Sequence, residues 1–218
     1  PLWSRGLGDV YKRQGIERFL THELNVGIDF YYKRATNLLD DGQFGQAYVQ
    51  TAFNYNRAYN TGIELKSVYQ KGDLRLYANL AAAKQRATQI TSNQYLFDQE
   101  TFDYISNHYI YTDHAQNWTG SAGGSYVING FKGSVSMIYG SGLRSGFANT
   151  THVSPYTQIN STITKQITEI FGNPTTIRFD VVNLLDRAYQ LRNGTGIGVF
   201  APQYGPRRGF YVGLQQNF

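Results

Sequence analysis

The side chains best suited to metal or proton chemistry lie mainly in one stretch of the chain. His108 and His114 fall in residues 89–114, together with Asp103 and Asp113. Imidazole and carboxylate groups are common metal ligands, so contact with a metal ion is one interpretation of this stretch. Solvated loop side chains are the other. The block has no metal-binding motif, and we expect no dedicated metal site.

Catalytic chemistry finds little support in the residue types. The chain has no Cys, which excludes a cysteine nucleophile, a thiolate zinc site and a disulfide scaffold. A hydrolase would need Ser or Asp beside a His that a third group orients, and no spacing here suggests one. Gly194, Gly196 and Gly198 resemble a phosphate loop but lack the preceding strand and following helix. We therefore expect no enzyme, no catalytic residue and no cofactor.

Aromatic and imidazole side chains between the predicted strands are the remaining candidates for binding. Rings offer apolar contact area at little cost in rotamer freedom. The candidate ligand-contact residues are Tyr48, Tyr55, Tyr95, Phe102, Tyr104, His108, Tyr109, Tyr111 and His114. For each of them, packing of one loop on another is the alternative.

The composition indicates which elements must position these residues. Of 218 residues, 18 are Tyr, 23 are Gly and only five are Pro, and charged residues make up 16%. Such a chain favours strands and tight turns over helices. The mean hydropathy is −0.43, and no apolar stretch approaches the roughly 18 residues of a membrane helix. A membrane barrel is still compatible, because its strands need an apolar residue only at every second position.

Strict alternation of apolar and polar residues begins at Leu24 and recurs along the chain. Leu24, Val26, Ile28 and Phe30, for example, alternate with polar or small residues. This period of two predicts two-faced strands. The eight predicted strands are approximately 24–34, 57–69, 74–88, 115–127, 131–144, 156–168, 175–184 and 207–218.

Short and long connections alternate between these strands. Tight turns are predicted at Gln70–Asp73, Asn129–Gly130 and Phe171–Pro174. The long connections are about 35–56, 89–114, 145–155 and 185–206. This alternation is typical of bacterial outer-membrane barrels, which have short periplasmic turns and long external loops. The predicted fold is therefore an all-β, antiparallel transmembrane β-barrel with its C-terminus in the periplasm and its long loops outside.

The alternation also assigns residues to the two faces of the predicted barrel. Leu65, Val135, Val181 and Leu214 should face lipid, whereas Glu64, Ser134, Asp180 and Gln215 should face the lumen. Many of the cations fall on the polar face, where they would meet a plug or an anionic substrate: Lys33, Lys66, Arg75, Lys132, Arg144 and Arg178. Because Lys and Arg are dispersed along the chain, we expect no nucleic acid as a partner despite the net charge of +5.

Several segments resemble one family when their order and spacing are taken together. Asp29–Arg34, Asn60–Leu65, Gly140–Arg144, Asn183–Asp186 with Tyr189, and Tyr204–Phe210 are similar to the late barrel strands of TonB-dependent outer-membrane receptors. The resemblance covers about residues 16–218. It implies a 22-strand barrel filled by an N-terminal plug that meets TonB, of which this chain would supply the last eight strands. The chain itself shows no plug and no TonB box.

The resemblance implies a receptor and transporter in the outer membrane. Its expected function is TonB-coupled uptake of a scarce nutrient, such as an iron–siderophore or another large solute. The implied partners are outer-membrane lipid, the missing plug and through it TonB, the barrel assembly machinery, and an extracellular ligand of unknown identity. The alternative is a self-contained eight-strand barrel with a structural or adhesion role. A soluble binding sandwich is the third interpretation.

The two ends of the chain carry separate expectations. Residues 1–14 show neither the period of two that is typical of a strand nor the period of 3.6 that is typical of a helix. They resemble a non-native or disordered prefix, so residues 15–218 are taken as the barrel portion. Phe210, Val212, Leu214 and Phe218 resemble the C-terminal signal that the assembly machinery reads, although Gln216 departs from an all-apolar face. Strand addition could recognise such an edge.

Overall fold

The computed structural model describes residues 10–43, 50–91, 97–170, 173–198 and 201–216. Nine long strands account for most of the described chain, and short strands, one α-helix and one 3-10 turn lie between them. The long strands are β1 (Val10–Phe19), β2 (Leu24–Gln43), β3 (Gln50–Lys71), β4 (Leu74–Thr91), β6 (Trp118–Ile128), β7 (Phe131–Gly140), β10 (Tyr156–Ile170), β11 (Asn173–Val182) and β14 (Gly209–Gln216). The short elements are α1 (Gln99–Asn107), β5 (Ile110–Tyr111), β8 (Arg144–Ser145), the 3-10 turn Phe147–Asn149, β9 (Thr151–His152), β12 (Gln190–Asn193) and β13 (Pro202–Tyr204).

The long strands form one antiparallel sheet in which each strand pairs with the next long strand along the chain. The order is β1-β2-β3-β4-β6-β7-β10-β11-β14, and β5 also pairs with β4. This meander confirms the predicted all-β, antiparallel fold. Among the described residues β1 and β14 each pair on one side only, so this part of the chain forms an open sheet with two free edges. The helix of the described residues is too short to cross a membrane.

The strand count differs from the eight expected. The additional strand β1 pairs with β2 along its whole length, from Val10 opposite Arg34 to Phe19 opposite Asn25. Residues 10–14, which we placed in the prefix, therefore lie in a strand. Sequence alternation missed it because backbone hydrogen bonds form the ladder whatever side chains lie on its faces. The non-native origin of residues 1–14 stays a prediction.

All four predicted long loops contain regular structure: residues 145–155 include a 3-10 turn and β9, and residues 185–206 include β12 and β13. β2 and β3 continue as a hairpin until Gln43 lies opposite Gln50, so most of the loop predicted at 35–56 is strand. The stretch 89–114 contains the end of β4, the helix α1 and β5. Asp98 caps α1, because its side chain accepts a hydrogen bond from the Thr101 backbone N–H at 2.8 Å.

Tight turns join the strands at the end of the sheet where the sequence placed them. Asn129 and Gly130 have φ of 50° and 73°, and they connect Ile128 directly to its partner Phe131. Positive φ at both central residues is the geometry of a type I′ hairpin. Gly72 has φ of 54° in the turn between the paired residues Lys71 and Leu74. Residues 171 and 172, in the third predicted turn, lie outside the described residues.

The pairing register places residues that were predicted to share a face opposite one another on neighbouring strands. Ile28, Leu65 and Leu80 occupy one row across β2, β3 and β4, and Asp29 lies opposite Glu64 in the adjacent row. We call the face of Leu65 the outer face and that of Glu64 the inner face. Leu65 is 44% exposed and Leu214 is 71% exposed, as lipid-facing residues would be without lipid.

One row of the sheet bends sharply near the end opposite the tight turns. Asn37 and Gln89 both have positive φ, at 56° and 61°, and they lie beside Asn56 on neighbouring strands. Past this row Leu38 lines a cavity with the inner-face residues Lys33, Asn60 and Gln85, although its parity is that of the outer face. Beyond Asn37, Leu38 therefore lies on the inner side of the sheet instead of the outer side.

The assignment of faces can be tested with single-cysteine probes in the complete receptor that carries this segment. Probes replacing Leu65, Val135 and Leu214 should contact lipid, and probes replacing Glu64, Ser134 and Gln215 should be open to aqueous reagents, because adjacent residues of a strand point to opposite faces. Accessibility to a water-soluble and a lipid-soluble spin relaxant measures this. Val181 is left out, since it is buried although it shares the outer face. Equal lipid exposure of the two sets would contradict the register.

Candidate functional site

Charged side chains on the inner face of β1, β2 and β3 form a connected network. The Arg13 guanidinium lies 3.2 Å from the Asp29 carboxylate and 3.5 Å from that of Glu64. The Lys66 ammonium donates to Glu17 at 2.6 Å. On the lipid face a cation at midplane would cost about 2–4 kcal/mol, so the alternation keeps these charges on the lumenal side.

Beyond the ends of the long strands, buried polar side chains tie the connections into one rim, which we call the loop rim (residues 110–117, 141–155 and 186–198). Asn149 is fully buried at φ of 57°. Its amide nitrogen donates to the carbonyls of Tyr111 at 3.0 Å and Ile197 at 3.2 Å, and its oxygen accepts from the Ile197 N–H at 2.8 Å. One side chain thus joins three separate connections.

Tyr111 lies between two guanidinium groups at this rim. The Arg144 guanidinium is 3.6 Å from the centre of the ring and that of Arg86 is 4.4 Å away. Arg86 also donates to the Tyr111 hydroxyl at 3.1 Å. Arg144 is 6% exposed, and burial lowers the pKa of its guanidinium. The sequence placed Arg144 on the polar face of a strand running to residue 144. That was wrong, because β7 ends at Gly140.

One ion pair and one histidine–carboxylate contact lie at the rim. Arg192 pairs with Asp113, and His114 lies 3.7 Å from Asp40 of the β2–β3 hairpin. Burial raises the pKa of Asp40, and the neighbouring His114 opposes that shift. Burial lowers the pKa of Arg192, whereas Asp40 raises it. The β2–β3 hairpin thereby contacts the loop rim through Asp40 and His114 as well as by apolar packing.

Two segments that carried the family resemblance meet where β11 leaves the sheet and β14 enters it. Buried Asn183 donates to the carbonyls of Arg187 at 2.8 Å and Pro206 at 2.9 Å. Asp186 accepts two hydrogen bonds from the Arg207 guanidinium, at 2.8 and 2.6 Å, and one from the Arg208 N–H at 3.0 Å. These donors hold the pKa of Asp186 well below its ordinary value. The Asn183–Asp186 stretch therefore has a structural role, since its side chains join the end of β11 to the start of β14.

The side chain of Tyr189 completes this junction. The Tyr189 ring stacks on Tyr156 at 4.6 Å, and its hydroxyl donates to Gln158 at 2.6 Å. A Cβ at residue 205 would lie 1.9 Å from the Tyr189 ring. Gly205 is therefore required by the close approach of a ring, which explains why glycine follows Tyr204 in the segment that resembled the family.

The structure separates the predicted ligand-contact residues into three groups. Phe102 and Tyr109 are each 42% exposed, and His108 and His114 are exposed as well. Tyr55 is fully buried beside Phe53, and Tyr104 packs against the same apolar cluster. Tyr111 is half-buried between its two arginines. Tyr48 and Tyr95 lie outside the described residues, as does Phe218 of the predicted assembly signal. Phe210, Val212 and Leu214 are exposed on β14.

The two histidines of the 89–114 stretch have different partners. The His108 ring stacks on Tyr104 at 4.3 Å, and its Nδ1 donates to the Tyr104 carbonyl at 2.9 Å. His114 faces Asp40 instead, and Asp113 is engaged with Arg192. Among the described residues no three His, Asp or Glu side chains are grouped so as to hold a metal ion.

Sequence reasoning missed the residues that organise the rim, chiefly Asp40, Asn149 and Arg192. Their sequence signals are weak, because each lies among other polar residues and nothing local marks its contact with a distant segment. Glycines gave a better signal: Gly142 has φ of 94°, and a Cβ there would lie 2.0 Å from the Val153 carbonyl oxygen. The segment Gly140–Arg144, which carried part of the family resemblance, thus contains a glycine because any side chain at residue 142 would clash with Val153.

This meander of long strands, with tight turns at one end and an organised rim at the other, is the architecture of outer-membrane barrels. The family model "TonB dependent receptor-like, beta-barrel" matches residues 14–184. The chain belongs to the TonB-dependent receptor family. Receptors of this family lie in the outer membrane and act as transporters, not enzymes. No curated protein sequence matches the chain.

Solved structures of receptors from this family share the fold. The FrpB iron transporter of Neisseria meningitidis has a TM-score of 0.60 at 14% identity, covering 94% of this chain and 30% of its own. BauA, the ferric preacinetobactin receptor of Acinetobacter baumannii, has a TM-score of 0.65 at 14% identity, covering 96% and 29%. The copper transporter OprC has a TM-score of 0.63 at 15% identity, covering 96% and 31%. The chain thus spans about a third of the length of each.

The Asp186–Arg207 pair predicts a pH dependence of stability. A carboxyl whose pKa is depressed by folding stabilises the protein above its unfolded pKa of about 3.9, and this contribution is lost as pH falls below that value. Thermal unfolding of the complete receptor should therefore show a larger drop in Tm between pH 6 and pH 3 than that of its Asp186→Asn variant. Asp103→Asn, on the exposed face of α1, is the control and should retain the parental pH response. Identical profiles for the parent and Asp186→Asn would contradict the assignment.

Proposed function

We propose that this chain is the C-terminal part of the barrel of an outer-membrane receptor that takes up a scarce nutrient by TonB-coupled transport. The observation that carries the proposal is the open, consecutive meander of a TonB-dependent receptor barrel. Its two free edges must find partners in a membrane, because unpaired backbone groups are costly in hydrocarbon. In the proposed receptor, further strands of the same protein supply those partners.

The free edges also weigh against the alternative of a self-contained eight-strand barrel. Such a barrel would pair its first strand with its last, whereas β1 and β14 each pair with one neighbour. The nine-strand path also makes an even-numbered closure impossible without another strand, and single-chain bacterial barrels have even strand numbers. A longer barrel accommodates both observations.

The proposed orientation places the tight turns and the C-terminus in the periplasm. The loop rim, with the bent β2–β3 hairpin, then lies on the extracellular side. Buried residues such as Asn149 hold the rim together, so it would offer a preformed surface to an arriving ligand. Preorganisation favours binding because less conformational entropy is lost on association.

The proposed ligand is a metal chelate such as an iron–siderophore. Supporting this choice, the similar structures include proteins described as an iron transporter, a ferric preacinetobactin receptor and a copper transporter. Phe102 and Tyr109 are the exposed rings we propose as its contacts, with His108 and His114 as additional polar ones. Buried Tyr55 is better explained by packing of the hairpin.

The proposed protein partners divide between the inner face and the edge strand. The plug, which would connect the receptor to TonB, would lie against the inner face and its charged network around Asp29 and Glu64. The barrel assembly machinery would recognise β14 through Phe210, Val212 and Leu214, with Phe218 at the end of the chain. Both partners use features that a barrel of this family must have: a polar lumen and a last strand.

Ligand contact can be tested with a pair of variants in the complete receptor. Phe102→Ala combined with Tyr109→Ala should weaken binding of the ferric chelate about tenfold or more, since stacking contacts of two rings are lost. Tyr126→Ala, an exposed tyrosine at the tight-turn end, should leave affinity unchanged. Binding is measured by titration of purified protein, with surface expression checked separately. Unchanged affinity in the double variant would exclude these rings as contacts.

Assembly can be tested at the last residue. Phe218→Ser should slow insertion into the outer membrane more than it lowers the stability of folded receptor, because an apolar, aromatic-ended strand is the proposed recognition element. Pulse-chase measurement of heat-modifiable, inserted receptor reports the rate. Asn217→Ser serves as the control at the neighbouring position. Wild-type insertion by Phe218→Ser would show that this end is only a strand.

A further inference from the structure

The Arg144 guanidinium is a buried charge with no opposite charge beside it among the described residues. Arg144 is only 6% exposed, and its Nε–H is buried without a hydrogen-bond acceptor. The ion pairs of the described residues do not include it. Burial lowers the pKa of this guanidinium, nearby Tyr111 opposes the shift, and Arg86 adds to it. The full charge closest to Arg144 in effect is therefore a second cation.

Arg86 has the same deficit on the neighbouring strand. It projects from β4 in the row where it lies opposite Tyr111. One of its terminal nitrogens donates to the Tyr111 hydroxyl at 3.1 Å, but its Nε–H is also buried without an acceptor. It likewise takes no part in the ion pairs of the described chain.

Both guanidinium groups approach the same aromatic ring. Their central carbons lie 3.6 and 4.4 Å from the centre of the Tyr111 ring, so the two charges are within about 8 Å of each other. Removing a guanidinium from water is costly unless an opposite charge pairs with it, and two like charges at this range repel. A tyrosine ring attracts cations, but it carries no net charge. A negative charge is therefore needed at this point.

We propose that a small inorganic oxyanion, of the phosphate or sulfate type, binds at the Nε edges of Arg86 and Arg144 beside the Tyr111 hydroxyl. We call these three residues the oxyanion site. The inference goes beyond the proposed function, because it requires neither TonB, nor a transported ligand, nor a particular orientation in the membrane.

An oxyanion matches the donors that the two arginines leave available. A guanidinium presents N–H groups as a planar fork, which fits two oxygens of one phosphate or sulfate group. The Nε–H forms part of such a fork, and in both arginines it has no acceptor from the described residues. The Tyr111 hydroxyl accepts from Arg86, so its own hydrogen can be donated to the anion. A chloride ion offers only one acceptor atom and cannot occupy a fork in this way.

The oxyanion site would join three separate parts of the chain. Arg86 lies on β4, Tyr111 on β5 and Arg144 on β8. The last two belong to different connections of the loop rim, which already touch where the Arg144 N–H donates to the Asp113 carbonyl at 3.2 Å. Because a ligand that binds only the folded protein stabilises it, the stability of the rim should depend on the oxyanion.

A Tyr111 phenolate is the rival source of negative charge. Burial raises the pKa of Tyr111, but the guanidinium groups of Arg86 and Arg144 outweigh this effect and lower the pKa below its ordinary value. The variant Tyr111→Phe separates the two explanations, because it removes the ionisable hydroxyl and leaves both arginines in place.

The test uses the complete receptor, purified in detergent at neutral pH and titrated with sodium phosphate, sodium sulfate or sodium chloride at matched ionic strength. Thermal unfolding and isothermal titration calorimetry report stability and affinity. Phosphate and sulfate should raise the Tm of the parent saturably, and chloride should not. Arg144→Gln and Arg86→Gln should each weaken phosphate binding about tenfold or more, since each removes one charged fork. Arg75→Gln, which removes an exposed inner-face cation, should bind phosphate like the parent.

Two further variants make the outcome decisive. Arg86 is only half-buried, so Arg86→Gln supplies the result if Arg144→Gln does not fold. Tyr111→Phe should still bind phosphate. The proposal is overturned if phosphate stabilises the parent no more than chloride does, or if Arg86→Gln and the parent respond equally. Tyrosinate absorbance of the parent at neutral pH that Tyr111→Phe abolishes would also overturn it, because the phenolate would then be the opposite charge. Loss of uptake would leave these results unchanged.

Discussion

The requirement that every backbone N–H and C=O in hydrocarbon has a partner is the constraint on which this structure depends. An antiparallel ladder between consecutive strands satisfies it locally, so each long strand pairs with the next along the chain. Because backbone groups alone form the ladder, the side chains on the two faces of the sheet can differ in polarity. Apolar rows such as Ile28, Leu65 and Leu80 occupy one face, and the network around Arg13, Asp29 and Glu64 occupies the other.

Beyond the ends of the long strands, side chains supply the hydrogen-bond partners that the backbone groups need. Asn149 replaces a ladder by bonding to Tyr111 and Ile197, and Asn183 joins the ends of β11 and β14 through Arg187 and Pro206. An amide is suited to this task because it donates and accepts at once. Both asparagines have positive φ, a conformation that Asn tolerates better than most residues.

The outer and inner faces also acquire different chemistry towards the loop rim. On the inner side, side chains of β2 change face at Asn37, and Asp40 lies within 3.7 Å of His114. On the outer side, the apolar rows give way to cations and tyrosines.

The sequence by itself determined the strands, their faces, the tight turns and the family, because a period of two and an Asn-Gly turn are local properties that a chain must show to form a hairpin. It identified β4, β6 and β11 near their true positions, but it ended β2 nine residues early and missed β1, whose pairing with β2 does not require alternating side chains. The tertiary structure alone decided which loop residues meet. Asp40 and His114 are far apart in the chain, and their proximity follows from a bend at two residues, Asn37 and Gln89. Nothing in the sequence distinguishes the buried Tyr55 from the exposed Tyr109, since burial depends on which residues pack against a side chain.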